Sequence, residues 1–300
     1  MFHYLSGSQR TFTLVLRMQN RNLTRVTPLP LYRWRALCAV CLFLAACVRP
    51  AIALAAAPEL HDVQHRFDIS LFAEAPQIVN PIGLQVDQAG HVFVIESHTH
   101  FQPHDYKGPK ADRILRLSDT DGDGRADKVE VFYEGLQAAM DIALSENGDM
   151  FVVTRAAVTR LRDTNEDYKA DKSLRLVELE TTNDYPHNAL SGLALDGQGG
   201  LYFGLGENFG AVYKLKSADG VELTGQGEDG IYYCRVDGTH LRRVATGFWN
   251  PFGLCVDRVG RLFATDNDPD SRPPCRLLHI VEGGDYEYEV RYGRLKSDRS

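Results

Sequence analysis

The sequence lacks the features that mark several protein classes. Its 300 residues include only two tryptophans and four methionines, and no apolar run reaches the roughly 20 residues that a membrane-spanning helix requires. The formal net charge is −7, which argues against nucleic acid as a partner because such binding relies on a surplus of Lys and Arg. The apolar and charged fractions, 44% and 24%, are those of an ordinary folded domain.

Acidic residues are also absent from the basic N-terminal stretch, which precedes an apolar run at Ala36–Val48. This pattern is typical of an export signal. Ala53-Leu54-Ala55 fits ordinary cleavage, whereas Leu44-Ala45-Ala46-Cys47 resembles a lipobox that would leave Cys47 lipidated. We therefore expect residues 1–57 to be an export signal or lipoprotein leader. The protein would then be exported, either periplasmic or lipid-anchored, with this segment as its sole attachment to a membrane.

Cysteines give little support for a covalent framework. The pair Cys38-Ala-Val-Cys41 is not followed by histidine, which excludes a c-type haem attachment site there. Beyond the leader only Cys234, Cys255 and Cys275 remain, and this odd number permits at most one internal bridge. A Cys234–Cys275 disulfide in an oxidising compartment and three buried free thiols are both compatible with the sequence.

The body of the chain is repetitive. Segments beginning at Gly83, Asp141, Gly192 and Gly253 each contain an apolar strand, a polar turn with glycine and a second apolar strand. The intervening sequence supplies two more strands that alternate apolar and charged residues. Four-stranded units repeating about every 50–60 residues predict an all-β β-propeller. We expect the propeller to occupy residues 58–300, with blades near 82–136, 140–183, 190–248 and 252–295.

One predicted strand has no place in these four blades. Phe67–Glu74 resembles the outer strand of a blade, but Cys275–Ile280 and Asp285–Val290 already supply the outer strands of the fourth blade. We therefore expect an open propeller, truncated from a larger one of about six blades. A closed ring of four blades is the alternative.

Antiparallel alternation places the connections between blades and those between the second and third strands at one end, here called the mouth. Seven segments bring polar side chains there, which is the arrangement of a binding site. His187 is the candidate general base, and Arg155 the candidate partner of an anionic group or a developing alkoxide. The candidate substrate- or cofactor-binding residues are Glu96, His98, His100, Asn188, Glu207, Asn208, Asn250, Asp266, Asn267 and Asp268.

A calcium-loop pattern lies at the opposite end. Oxygen-bearing side chains alternate along the turn, with Gly124 at the sixth position for the sharp bend. The predicted Ca²⁺ ligands are Asp119, Asp121, Asp123, the Arg125 carbonyl, Asp127 and Glu130. The equivalent turn of the second blade, Asp163–Asp171, has Tyr168 in place of the glycine, so we expect it to be weak or empty.

Several strings of residues occur in the order found in a known family. They are Glu96–Phe101, Asp105–Lys110, Asp184–Asn188, Gly204–Asn208, Gly247–Pro251 and Asp266–Cys275. From about Phe67 to Tyr292 the sequence resembles the propeller of the membrane-bound dehydrogenases of planctomycete-type bacteria, which are similar to soluble glucose and sorbosone dehydrogenases. The resemblance implies pyrroloquinoline quinone as cofactor, His187 as base, a sugar or alcohol substrate and a cytochrome-type electron acceptor.

Three functions follow as hypotheses. The first is a sugar or alcohol dehydrogenase-like oxidoreductase, of which this chain would be an active propeller or an inactive fragment. The second is a non-catalytic propeller that binds glycan or protein. The third is a lactonase-like hydrolase with an axial metal held by Glu96, Asn208 and Asp266.

Overall fold

A computed structural model describes residues 12–16 and 69–287, except 101, 103, 185–188, 228–229 and 268–274. The predicted leader therefore lies outside the described residues apart from β1 (Phe12–Leu16), which forms a two-stranded sheet with β2 (Ile69–Glu74). The chain divides into two compact units, Met1–Thr13 with Phe72–Ser300 and Leu14–Leu71. Within the described ranges no helix is long and apolar enough to cross a membrane.

Four antiparallel sheets follow one another along the larger unit, which confirms the predicted β-propeller. Blade 1 consists of β3 (Pro81–Val86), β4 (Val92–Glu96), β5 (Asp112–Ser118) and β6 (Lys128–Leu136). Blade 2 consists of β7 (Ala139–Leu144), β8 (Met150–Thr154), β9 (Ala157–Arg162) and β10 (Lys172–Thr181). Blade 3 consists of β11 (Leu190–Leu195), β12 (Gly200–Leu205), β15 (Gly230–Arg235) and β16 (Arg242–Ala245). Blade 4 consists of β17 (Pro251–Val256), β18 (Leu262–Asp266) and β19 (Arg276–Ile280).

The inner strands β3, β7, β11 and β17 pack side by side in this order around the axis. Each contains a register shift near its start, at the same point of the repeat. Glycine permits the close approach of neighbouring blades there. At Gly192, where φ is +57°, a Cβ atom would lie 2.5 Å from the carbonyl oxygen of Phe252 on the next blade. Gly83, next to Asp141, and Gly192 therefore mark positions where adjacent blades touch at the axis.

Hydrogen bonds at the rim link each blade to the preceding one. The amides of Ala170 and Gly283 donate to carbonyls on β6 and β16, at 2.9 and 2.7 Å, and Arg160 on β9 donates to the Val236 carbonyl of blade 3 at 3.0 Å. In blade 1 the corresponding amide, that of Ala126, donates to the Phe72 carbonyl on β2 at 2.8 Å. β2 thus occupies the position of an outer strand from a preceding blade, as expected for Phe67–Glu74.

A hairpin that the sequence analysis did not anticipate widens blade 2. It consists of β13 (Val212–Ser217) and β14 (Glu222–Gln226), which leave blade 3 between its second and third strands. β13 pairs with β10, so the sheet of blade 2 has six strands. An exposed edge strand readily accepts another strand, and this hairpin covers the edge of β10 while joining two blades.

The fourth strand expected in blade 4 at Asp285–Val290 is not found among the described residues, which end at 287. Instead Asp285 forms a parallel bridge with Thr246 of blade 3. The Tyr286 amide donates to the Thr246 carbonyl at 2.9 Å, and its ring stacks on Phe248 at 5.1 Å. Tyr286 also contacts β19, since its hydroxyl donates to the His279 carbonyl at 2.6 Å, so the segment bridges blades 3 and 4.

Both expectations for the cysteines were wrong. All three thiols are free, and Cys234 is buried in the core between blades 2 and 3, whereas Cys255 and Cys275 are exposed. Burial raises the pKa of Cys234 to about 12. The residue therefore behaves as a small apolar core side chain, and no Cys234–Cys275 bridge forms.

Candidate binding site at the propeller mouth

Glu96 is a buried anchor of the mouth. It ends β4, and its cross-strand neighbour is Arg113 at the start of β5. Glu96 Oε1 accepts the Val79 amide at 3.0 Å, while Oε2 accepts Arg113 Nε at 2.5 Å and faces His98 Nε2 at 3.1 Å. Burial alone would raise the pKa of Glu96, but these hydrogen bonds outweigh it and lower the pKa. The carboxylate is therefore ionised and committed to the protein's own donors.

Asp266 repeats this arrangement in blade 4. It ends β18 opposite Arg276, the first residue of β19. Its carboxylate accepts Arg276 Nη2 at 2.5 Å and the amides of Asn250 and Trp249 at 2.7 and 3.1 Å. Here burial outweighs the donors, so the pKa is raised. Both carboxylates fasten the loop that leads into the inner strand of their own blade.

His98 also serves the protein rather than a ligand. Its ring is buried between Glu96 and the Tyr106 hydroxyl, which lies 2.5 Å from Nδ1. The backbone of this loop is held by Asp112, which accepts the amides of His98, Thr99 and Ala139 at 2.5, 2.8 and 2.8 Å. The expectation that His98 and His100 both face a ligand is therefore corrected, because His98 points into the protein.

Glu207 and Asn208 hold the loop that follows β12. Glu207 Oε2 accepts the Phe209 amide at 2.6 Å, and the Glu207 amide donates to the Trp249 carbonyl at 2.8 Å. Asn208 Nδ2 donates to Thr181 Oγ1 and to the Ala211 carbonyl, at 2.9 and 3.0 Å. Because Trp249 contacts both Glu207 and Asp266, the structure places these loops at one end of the propeller, as predicted.

A cavity of about 160 Å³ lies at this end, between blades 1, 2 and 4. Its polar lining residues are Ser97, His100 and Asn250, and its apolar ones are Ile82, Met140 and Phe252. Of the predicted site residues the cavity brings together His100 and Asn250. Ser97 and the apolar wall were not among the predicted site residues, although Phe252 lies at the register shift of β17, next to the repeated glycine Gly253.

None of the other predicted residues that the structure describes lines the cavity. His187, Asn188 and Asp268 lie outside the described residues, and Asn267 is exposed just after β18. Arg155 follows β8, where its amide donates to the Ala138 carbonyl at 3.0 Å and its carbonyl accepts the Leu190 amide at 3.3 Å. Burial lowers the pKa of Arg155, an effect that Asp184 opposes.

Three of the predicted calcium ligands come together in the turn at the opposite end. Ligand oxygens of Asp119, Asp121 and Asp123 lie within 4.8 Å of one another. Asp127 instead accepts the Thr120 amide and hydroxyl, at 3.1 and 2.5 Å. Glu130 is bound by Arg116 and Lys128, at 2.7 and 3.0 Å. The side chains of Asp127 and Glu130 therefore do not join the cluster. The Arg125 guanidinium pairs with Glu74 at 3.1 Å.

Comparison with known protein families identifies the family of this chain. A family model described as a domain of unknown function, DUF7133, matches residues 55–289. The chain belongs to this family. No curated protein matches the chain.

Solved structures share the fold of this DUF7133 chain. An iodide structure of a Trichoderma reesei protein from Carbohydrate-Active Enzymes Family AA12 has a TM-score of 0.52 and 14% identity, covering 72% of this chain and 57% of its own. A glucose dehydrogenase has a TM-score of 0.47 and 16% identity, with 71% and 69% covered. The holo pyranose dehydrogenase PQQ domain from Coprinopsis cinerea has a TM-score of 0.40 and 14% identity, with 67% and 48% covered. The DUF7133 chain thus spans 57% of the length of the first structure.

The cavity at the mouth does not fit a quinone. Pyrroloquinoline quinone carries several carboxylates, which need cationic partners when they are taken out of water. Among its described lining residues the cavity has no cation. Arg113 and Arg276 are already engaged by Glu96 and Asp266. The residues that line the cavity thus present neutral polar groups and no cation to a polyanion.

The axial metal of the lactonase hypothesis finds no support either. Among the described residues, Asp119, Asp121 and Asp123 form the one grouping of three with converging ligand atoms. Glu96 and Asp266 direct their oxygens to guanidinium groups and backbone amides instead.

Proposed function

We propose that the mouth of this propeller binds a neutral hydroxylated small molecule, a sugar or an alcohol, as part of a sugar dehydrogenase-like protein. The axial cavity carries the proposal. Ser97, His100 and Asn250 offer neutral hydrogen-bonding groups, while Ile82, Met140 and Phe252 offer apolar walls. This combination suits a molecule that has hydroxyl groups on one side and C–H groups on another.

The electrostatics of the mouth favour a neutral ligand. The buried carboxylates Glu96 and Asp266 are compensated by Arg113 and Arg276, so neither charge is offered to a ligand. Within the cavity, the imidazole of His100 can accept a proton from a bound hydroxyl near neutral pH. His187 stays the predicted base from the sequence. The names of the solved structures, a carbohydrate-active enzyme and a pyranose dehydrogenase domain among them, agree with a sugar as ligand.

Binding without oxidation is the second candidate function, favoured by the poor fit of the cavity to a quinone. We further propose that the protein is exported, and that Ca²⁺ binds at Asp119, Asp121 and Asp123 in a structural role remote from the mouth.

Calorimetric titration of the full chain with a panel of sugars and polyols tests the proposal. We expect millimolar or tighter binding, and an about tenfold loss of affinity in His100→Ala and in Asn250→Ala, since each removes a hydrogen bond to ligand worth about 1 kcal/mol or more. Asn147→Ala, in an exposed turn between β7 and β8, is the control and should bind normally. The proposal fails if no sugar or polyol binds the wild-type chain. Dye reduction with added quinone and Ca²⁺ then separates oxidation from binding alone.

A further inference from the structure

The loop after β12 holds a bulky side chain in a costly backbone conformation. Phe209 has φ of +50°, in the left-handed region that residues other than glycine rarely adopt. Its side chain is 38% exposed, so burial in a core offsets little of this strain. Strained, exposed residues of this kind concentrate where a side chain must be presented to a ligand.

Several contacts keep the loop in this shape. The buried carboxylate of Glu207 accepts the amides of Phe209 and Gly210, at 2.6 and 3.3 Å. Asn208 fastens the loop to Thr181 at the end of β10. The segments that lead into and out of the β13–β14 hairpin pass close to each other, since a Cβ on Gly227 would lie 2.7 Å from the Gly210 Cα atom. The conformation of Phe209 is therefore imposed by the surrounding structure.

The ring of Phe209 meets the indole of Trp249 edge to face, with centroids 5.4 Å apart and an interplanar angle of 79°. Trp249 immediately precedes Asn250, which lines the axial cavity. Trp249 is also fixed from both sides, by Glu207 through its carbonyl and by Asp266 through its amide. Phe209 and Trp249 thus form an aromatic pair, here called the platform, which joins the loop after β12 of blade 3 to the segment entering β17 of blade 4, adjacent in sequence to the cavity residue Asn250.

We infer that this platform is a second saccharide subsite, so that the mouth binds a chain of at least two linked sugar rings end-on. The inference rests on the proposed function. The cavity, at about 160 Å³, is smaller than the roughly 300–1,000 Å³ of most ligand pockets. It can therefore receive only one end of such a ligand. The next ring would leave the cavity past Asn250 and place its apolar C–H face against the exposed Phe209 ring.

Fluorescence gives a direct readout of the platform. The sequence has two tryptophans, Trp34 and Trp249, so Trp34→Phe in the full chain leaves Trp249 as the sole emitter. This chain is titrated with the mono-, di- and trisaccharide of one sugar. We expect the disaccharide to bind about tenfold more tightly than the monosaccharide and to change the Trp249 emission more strongly. Addition of the third ring should give little more.

Phe209→Gly isolates the contribution of the ring, because glycine adopts the observed φ without strain and the loop keeps its shape. We expect the disaccharide to lose its tenfold advantage in this variant while monosaccharide affinity stays unchanged. The matched control is Tyr168→Gly, which removes another exposed aromatic residue with a positive φ of +65° from the opposite end of the propeller. It should leave all saccharide affinities unchanged.

The outcomes separate the inference from the proposed function. If the wild-type mouth binds mono- and disaccharide equally, or if Phe209→Gly keeps the preference for the disaccharide, the platform is not a subsite, although sugar binding stands. If no saccharide of any length binds the wild-type chain, the proposed function fails and the inference fails with it.

Discussion

Blades 1 and 4 each have a buried carboxylate that anchors a loop at the mouth, but the pKa values of the two carboxylates are shifted in opposite directions. In each, a buried carboxylate at the end of the second strand pairs with an arginine opposite it and accepts backbone amides from the loop entering the inner strand. The pKa of Glu96 in blade 1 is lowered, whereas that of Asp266 in blade 4 is raised.

The difference comes from the partners of each carboxylate and from the deeper burial of Asp266. Glu96 has His98 beside it in addition to Arg113, and these side chains overcome the cost of burial. Asp266 has Arg276 and two backbone amides, and burial prevails. A carboxylate can therefore do the same structural work in two equivalent places while differing in how readily it takes up a proton. This difference can be tested by removing each partner in turn.

The largest effect is expected from removing the arginines. Arg113→Ala leaves Glu96 buried and ionised without its main counter-charge, which we expect to lower the free energy of unfolding by about 3 kcal/mol. Arg276→Ala should cost less at pH 7, because Asp266 is the more easily protonated of the two. Urea denaturation measures both values.

Arg261→Ala is the control for these variants. Arg261 pairs with Asp257 on the surface, and exposed pairs contribute about 0–1 kcal/mol. Equal losses for Arg113→Ala and Arg276→Ala would show that the two anchors do not differ as described.

Asp141 extends the comparison to a half-buried carboxylate that has no arginine among its hydrogen-bond partners. It accepts the amides of Ile142 and Leu193, at 2.8 and 3.0 Å, and burial raises its pKa to about 6. Its contribution to stability is fully present below its ordinary pKa of 3.8 and is lost as the pH rises through about 6.

We therefore expect the free energy of unfolding of the wild type, relative to that of Asp141→Asn, to fall by about 2 kcal/mol between pH 4 and pH 7. Unfolding curves across this range provide the measurement, with Glu146→Gln in an exposed turn as the control. A difference that does not change with pH would refute the raised pKa.

Neutral replacements of the two anchors should have smaller effects. Glu96→Gln removes an ionised acceptor of charged hydrogen bonds, and we expect a loss of about 2 kcal/mol at pH 7. Asp266→Asn should lose less, about 1 kcal/mol, because burial already disfavours the ionised form. Thermal or urea unfolding distinguishes them, and a larger loss for Asp266→Asn would reverse the proposed order.

The four blades and the order of most of their strands could be predicted from the sequence, because the repeat depends on patterns between residues close in sequence. Alternation of apolar residues and the turn glycines locates the paired strands, and antiparallel alternation then assigns the loops to one end. The hairpin β13–β14 could not be found in this way. Its own alternation is ordinary, and only tertiary packing brings it to the edge of β10 in another blade.

The roles of the mouth residues were harder to predict, because a carboxylate at a strand end looks the same in sequence whether it faces a ligand or a loop amide. Glu96 and Asp266 were expected to bind substrate, yet each is opposite an arginine at the start of the next strand. The recurrence of those arginines, Arg113 and Arg276, was the available signal. Asp141 was likewise visible as the one departure from glycine at its position in the repeat.

The smallest change in stability is expected from His98→Leu. This variant tests the comparison most directly, because it should shift the pKa of Glu96 in blade 1 in the direction seen for Asp266 in blade 4. His98→Leu removes the histidine from Glu96, so the pKa of Glu96 should rise towards the behaviour of Asp266. The stabilisation from Glu96 is present above its ordinary pKa of 4.5 and is lost as the pH falls through the lowered value of the folded state. In His98→Leu this loss should begin at a higher pH, with a cost near neutrality of only about 1 kcal/mol.

A carboxyl carbon NMR titration, with the Glu96 signal assigned from Glu96→Gln, measures the pKa. His98→Gln retains a donor and is the control. If both variants leave the pKa of Glu96 unchanged, His98 is not what separates the two anchors, and the carbonyl and amide environment of each blade must be responsible instead.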